Sequence, residues 1–135
     1  MDASSLLMPM VGAVSARDPR WVSTLAAIDK ELVDDSLVYR YRTETGASDG
    51  LAGTEGAFCM CSYWYIECLA RGGDYERARF FFEKMHAYAN HVGLYAEELD
   101  STGRYLGNFP QAFTHLGLVS AARFLDQALT DANEP

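Results

Sequence analysis

Apolar residues recur at helical spacing in several stretches of the chain. Residues 18–33 begin with an Asp-Pro pair, which is typical of an N-cap followed by the first helical residue. Residues 74–90 and 110–129 show the same spacing, and residues 2–14 are compatible with a helix that Pro9 would kink. The pattern therefore predicts several helices of ordinary length.

The remaining stretches complete an all-α prediction. Residues 57–71 are apolar almost all round, which predicts a helix buried on several sides. Residues 36–43 alternate and are rich in β-formers, so they predict a short strand or extended segment. Residues 45–56 and 93–107 are predicted to be irregular loops, and loops of that length are often functional. Residues 131–135 are predicted to be a frayed tail.

Length and charge exclude several classes of protein. The chain has 135 residues, enough for one hydrophobic core, and no apolar stretch is long enough to cross a bilayer. Its formal net charge is -8, and its only lysines are Lys30 and Lys84. Nucleic acid and anionic membrane are therefore not expected as partners, because both require clustered basic residues.

The three cysteines, Cys59, Cys61 and Cys68, do not suggest a disulfide framework, because their number is odd and their spacing close. No histidine is near enough in sequence to complete a metal site, so we expect small buried hydrophobes and no cofactor. The N-terminus lacks the basic and apolar regions of a secretory signal, which predicts a cytoplasmic location.

Two short motifs could carry chemistry. The adjacent Glu97 and Glu98 could serve acid–base catalysis, although such a pair on a loop is usually only solvated. Residues 39–42 alternate tyrosine and arginine, a pattern that suits sugar or anion recognition but also fits an edge strand with one wet face.

Two further segments have less specific interpretations. Asp49 and Glu55 lie in the glycine-rich segment before residues 57–71, where a turn and an N-cap would also explain them. His115 could act as a base, but without a nucleophile motif nearby a hydrogen-bonded, partly buried role is favoured.

Four segments of the chain carry a family pattern, namely DASSLLMPMVG, ELVDDSLVYRYRTETG, DGLAGTEGAFCMCSYWYIECLARGGDYERARFFFEKM and GLYAEELDSTGRYLGNFPQAFTHLGLVSAA. In this order they resemble the C-terminal part of the catalytic domain of glycoside hydrolase family 15, which includes glucoamylases and bacterial trehalases. The resemblance covers about residues 2–125.

The resemblance implies an (α/α)6 barrel of twelve helices, of which this chain would supply about five as a partial barrel. It implies hydrolysis of α-glucosidic bonds with inversion, which uses two carboxyl groups roughly 6.5–9.5 Å apart. The family's general base matches Glu97, and Glu98 is then a neighbour that positions water or is structural. The family's general acid lies upstream of the matching region.

The resemblance also implies substrate-binding positions. Arg40 matches a substrate-binding arginine, Glu55 and Phe58 match a loop that lines a sugar subsite, and Tyr95 and Phe109 would wall the site. The substrate would be an α-glucoside such as maltose, maltodextrin or trehalose, and the residues do not decide between glucoamylase and trehalase.

We predict that residues 1–130 form the C-terminal portion of the catalytic domain and that residues 131–135 form the tail. Without the general acid, we expect the chain alone to be inactive or nearly so. We also expect self-association through exposed apolar helix faces, especially that of residues 57–71. The alternative is a non-catalytic all-α interaction module or a subunit completed by a partner.

Overall fold

The computed structural model describes residues 1–42 and 55–133 of the chain, without the side chain of residue 133. This part is mostly helical, with short strands between the helices. In chain order the elements are a 3-10 helix Ala3–Leu6, α1 Leu7–Met10, α2 Pro19–Leu32, β1 Val33–Asp34, β2 Leu37–Val38, β3 Ala57–Phe58, α3 Cys59–Gly72, α4 Tyr75–His86, β4 Glu98–Leu99, β5 Tyr105–Leu106 and α5 Ala112–Asn133.

Carboxylate caps fix the predicted starts of two helices. The Asp18 side chain accepts the Arg20 N–H at 2.9 Å, and α2 begins with the expected proline. The Asp74 side chain accepts the Arg77 N–H at 3.4 Å and begins α4. The observed helix ends differ more from the predicted ones. Helix α4 ends at His86 rather than near residue 90, and α5 continues to Asn133 rather than ending near residue 129.

Two small antiparallel sheets correct the all-α prediction. In the first, β1 pairs with β2, so the extended segment predicted at 36–43 has only Leu37–Val38 in a strand, and residues 43–54 lie outside the described part. In the second, β4 pairs with both β3 and β5. The Asp100 carboxylate accepts the N–H groups of Thr102 and Arg104, a side-chain-stabilised turn that makes a hairpin of the predicted loop.

Helices α3 and α5 form the centre of the core and run parallel. Gly117 lies against Met60 and Tyr63 near the start of α3. Farther along both helices, Ser120 donates a 2.7 Å hydrogen bond to Glu67, and the Arg71 guanidinium lies 4.2 Å from the centre of the Phe124 ring. Because β3 leads directly into α3 and the β4–β5 hairpin precedes α5, the second sheet lies at the starts of both helices.

The exposed apolar surface lies on a different helix from the one expected. Helix α3 is buried along most of its length, so the expectation that residues 57–71 present an open apolar face is wrong. Instead, the first half of α5 exposes Phe113, Leu116 and Val119, each by 64%. None of the helices in the described ranges has the length and apolar character needed to cross a membrane.

Candidate active site

Glu97 lies directly before β4 and is held by hydrogen bonds to Asn108 and Cys59. Its N–H donates to the Asn108 carbonyl at 2.9 Å, and its carbonyl accepts the Cys59 N–H at 3.0 Å. Its Oε2 atom accepts hydrogen bonds from both the backbone N–H and the Nδ2 of Asn108, each at 2.9 Å. The carboxylate is therefore fixed through one oxygen, while Oε1 has no hydrogen-bond partner among the described residues.

Gly107 makes this arrangement possible. Its φ is +70°, in the left-handed region that favours glycine. A Cβ at this position would lie 2.8 Å from Glu97 Oε2 and 3.1 Å from Glu97 Cβ. The carboxylate therefore occupies the space that any other side chain at position 107 would need.

Glu98, the first residue of β4, has different hydrogen-bond partners from Glu97. Its Oε2 accepts the Gly56 N–H at 2.8 Å. A Cβ on Gly56 would lie 2.5 Å from the Leu99 carbonyl oxygen, so the two chain segments approach too closely for a larger residue. Burial raises the pKa of Glu98; the Gly56 N–H opposes the shift, and the nearby Glu55 and Glu97 carboxylates add to it.

Three of the predicted substrate-binding residues lie near Glu98. The Arg40 guanidinium lies 5.0 Å from the centre of the Tyr41 ring and 5.8 Å from that of Phe58, and its charge slightly lowers the pKa of Glu98. The Tyr41 hydroxyl donates to Glu55 Oε1 at 3.1 Å. An exposed cation, a carboxylate and aromatic rings are therefore brought together beside β3 and β4.

The two predicted wall residues have different surroundings. Phe109 is 45% exposed and stacks on Tyr105, with ring centres 5.2 Å apart. Tyr95 is only 2% exposed, with its ring packed edge-on against Tyr63 and His115. Tyr95 therefore has no open aromatic face, and its ring serves packing.

The start of α5 contacts the chain just before Glu97. The Tyr95 N–H donates to His115 Nε2 at 3.3 Å, and the Gln111 N–H donates to the Tyr95 carbonyl at 3.0 Å. The Thr114 hydroxyl donates to the Ala96 carbonyl at 3.0 Å. His115 is thus the hydrogen-bonded, half-buried histidine that the sequence favoured.

Other candidate groups take no part in this arrangement. All three cysteines are buried, and burial raises the pKa of each thiol to about 12. No group of three or more His, Cys, Asp or Glu side chains within residues 1–42 and 55–133 is placed to hold a metal ion. Asp49 lies outside the described residues.

Sequence reasoning did not identify Asn108 or Thr114. Both lie in the segment from residue 107 to 115, in which the sequence pointed only to Phe109 and His115. Their importance depends on the register between β4 and β5, which was not predicted, and on α5 beginning at Ala112 rather than near residue 110 as predicted.

Comparison with known proteins gives a consistent result. The family model described as glycosyl hydrolases family 15 matches residues 1–123. A trehalase of Mycolicibacterium smegmatis is 46% identical over 134 residues, covering 98% of this chain and 20% of the relative. A trehalase of Thermoplasma volcanium is 45% identical over 131 residues, covering 96% of this chain and 20% of the relative. The chain therefore spans about a fifth of the length of these relatives, and no solved structure gave a significant match.

Proposed function

Because the chain belongs to glycosyl hydrolase family 15, we propose that it forms part of an inverting α-glucoside hydrolase of the trehalase type, with Glu97 as the general base. The similarity to two trehalases supports trehalose over maltose and maltodextrin as the substrate. The proposal keeps residues 1–130 as the C-terminal portion of the catalytic domain.

The anchoring of Glu97 is the observation that carries this proposal. An inverting enzyme needs a carboxylate that is fixed in direction and still free to bind and deprotonate one water molecule. Asn108 and Gly107 fix Oε2, which leaves Oε1 to accept the water. No other carboxylate in the described part of the chain combines a rigid anchor of this kind with a match to the family's base.

The group beside Glu98 is suited to sugar binding. The proposal gives Arg40 and Glu55 hydrogen bonds to glucose hydroxyls and gives Phe58 and Phe109 contacts with the apolar faces of the sugar. Glu98 then supports the turn through Gly56 and lies beside the attacking water rather than exchanging a proton with it.

The helix arrangement fits a portion of an (α/α)6 barrel, in which every second helix runs in the same direction. Helices α3 and α5 run parallel, and α4 lies between them in sequence. The proposal places the general acid and the remaining helices in parts of the domain that these 135 residues do not supply. It therefore predicts that this chain alone releases no glucose from trehalose.

A chimera tests the assignment. The chain replaces the matching fifth of the Mycolicibacterium smegmatis trehalase, and hydrolysis of trehalose and of α-glucosyl fluoride is measured. Fluoride leaves with little need for a general acid, so the second substrate reports mainly on the base. We expect the Glu97→Gln chimera to lose about 10²–10⁴-fold in kcat on both substrates.

The matched control is Glu83→Gln, an exposed carboxylate of α4 that pairs with Arg79. This control should retain the activity of the parent chimera. Full activity in Glu97→Gln would remove Glu97 from the role of base, whereas a folded but inactive parent chimera would contradict the assignment of this chain to a trehalase-type site.

A further inference from the structure

We propose that Thr114 and His115, at the start of α5, are positioning residues that set the direction of the Glu97 carboxylate through the backbone of Tyr95 and Ala96. The inference rests on the proposed role of Glu97 as general base. The hydrogen bonds of both side chains go to peptide groups that precede Glu97, whereas the carboxylate itself accepts hydrogen bonds from Asn108.

The Thr114 hydroxyl fixes one side of the peptide group that connects Ala96 to Glu97. It donates to the Ala96 carbonyl at 3.0 Å, and both residues are nearly fully buried. The other side of the same peptide group is the Glu97 N–H, which donates to the Asn108 carbonyl at 2.9 Å. Because a peptide group is planar, anchoring both its oxygen and its N–H fixes the orientation from which the Glu97 side chain departs.

His115 fixes the peptide group that connects Leu94 to Tyr95, two peptide groups before Glu97. Its Nε2 accepts the Tyr95 N–H at 3.3 Å, so its Nδ1 carries the proton and donates to the Gln111 carbonyl at 2.6 Å. The Gln111 N–H in turn donates to the Tyr95 carbonyl at 3.0 Å. The first turn of α5 thus holds both polar groups of the Tyr95 backbone.

Helix α5 is itself fixed against α3, so it can serve as a reference for the carboxylate. Ser120 donates to the buried Glu67 at 2.7 Å, and Glu67 accepts two hydrogen bonds from Arg71 at 2.6 and 2.9 Å. The backbone before Glu97 is therefore hydrogen-bonded to a helix, α5, that is itself fixed in the core by its packing against α3.

A pair of substitutions at one position tests the proposal in the chimera. Thr114→Val keeps the shape of the side chain and removes the hydroxyl, whereas Thr114→Ser keeps the hydroxyl. We expect Thr114→Val to lower kcat for α-glucosyl fluoride roughly 10- to 100-fold with KM changed less than twofold, the loss typical of a misplaced catalytic group. Thr114→Ser should restore most of the activity.

A second readout uses the 135-residue chain itself. Hydrogen exchange of the Glu97 amide, measured by NMR, should be faster in Thr114→Val than in Thr114→Ser. Should Thr114→Val fail to fold by circular dichroism, His115→Phe takes its place, since it keeps an aromatic ring against Tyr95 and loses the acceptor for the Tyr95 N–H.

The outcomes separate the two proposals. Equal kcat and equal Glu97 amide exchange in the Val and Ser variants would overturn the positioning role. A rise in KM with kcat unchanged would also overturn it, because the contact would then serve binding. A parent chimera that is inactive, or that is unaffected by Glu97→Gln, contradicts the proposed function instead; the amide exchange then still decides whether Thr114 holds the Glu97 backbone.

Discussion

Replacing Gly107 by alanine tests whether the space beside Glu97 is essential for the proposed reaction. Two costs arise together at this position. The φ of +70° is unfavourable for alanine by about 1–2 kcal/mol, and the new Cβ would lie 2.8 Å from Glu97 Oε2. Since ordinary contacts begin near 3.4 Å, the carboxylate must move by about 0.6 Å.

Gly93 offers a matched control. Its φ is +79°, so alanine there carries a similar backbone cost, but no atom lies within 4 Å of the added Cβ. Gly93→Ala should therefore lose about 1–2 kcal/mol in the free energy of unfolding, measured on the 135-residue chain by urea titration, and Gly107→Ala should lose at least as much because of its additional contact with Glu97. The gain from restricting the unfolded chain is the same for both substitutions and cancels in the comparison.

Activity should separate the two variants. A displacement of about 1 Å in a catalytic group can cost 10²-fold, so a shift of about 0.6 Å predicts roughly a tenfold fall in kcat for α-glucosyl fluoride in the Gly107→Ala chimera. The Gly93→Ala chimera should keep its kcat. Equal losses of kcat in the two chimeras would show that backbone strain alone is responsible. Full activity in the Gly107→Ala chimera would show that the reaction does not depend on the observed position of the carboxylate.

Two further predictions concern pH and association. The pKa of Glu98 is raised above its ordinary value of 4.5, so the folded chain binds the proton more tightly, and the resulting stabilisation is present below pH 4.5 and lost as the pH rises through the folded-state pKa. Glu98→Gln should flatten the fall in Tm from pH 4.5 to 7, and Tm curves parallel to those of the parent chain would contradict this. If the apolar face of α5 drives self-association, Leu116→Glu should lower the average mass measured by sedimentation. Gln127→Glu, at an exposed position in the second half of α5, should leave that mass unchanged. The same average mass in Leu116→Glu and in the parent chain would assign association to another surface.

Helix positions could be predicted well from the sequence because their signals are local. The Asp18-Pro19 pair and Asp74 are capping signals that act within a few residues, and both mark real helix starts. The second sheet was missed because its strands are only two residues long and pair across about forty residues of chain. Two-residue strands contain too few positions to show an alternating pattern.

The candidate site was predictable only in part for the same reason. The resemblance pointed to Glu97, and the segment around it was recognised as unusual. The partners that orient it depend on strand register, which no local pattern encodes. Burial of Tyr95 likewise follows from its packing against Tyr63 and His115, which lie 32 and 20 residues away in sequence.

The second sheet also imposes an order on synthesis. Strand β3 emerges from the ribosome about forty residues before β4, so its edge stays unpaired while α3 and α4 form. The backbone before Glu97 gains its last anchor only when His115 has been made. A nascent chain therefore completes both its helical core and the carboxylate's surroundings only once α5 has been made, and until then the β3 edge and the face of α3 that α5 covers are both open to wrong contacts.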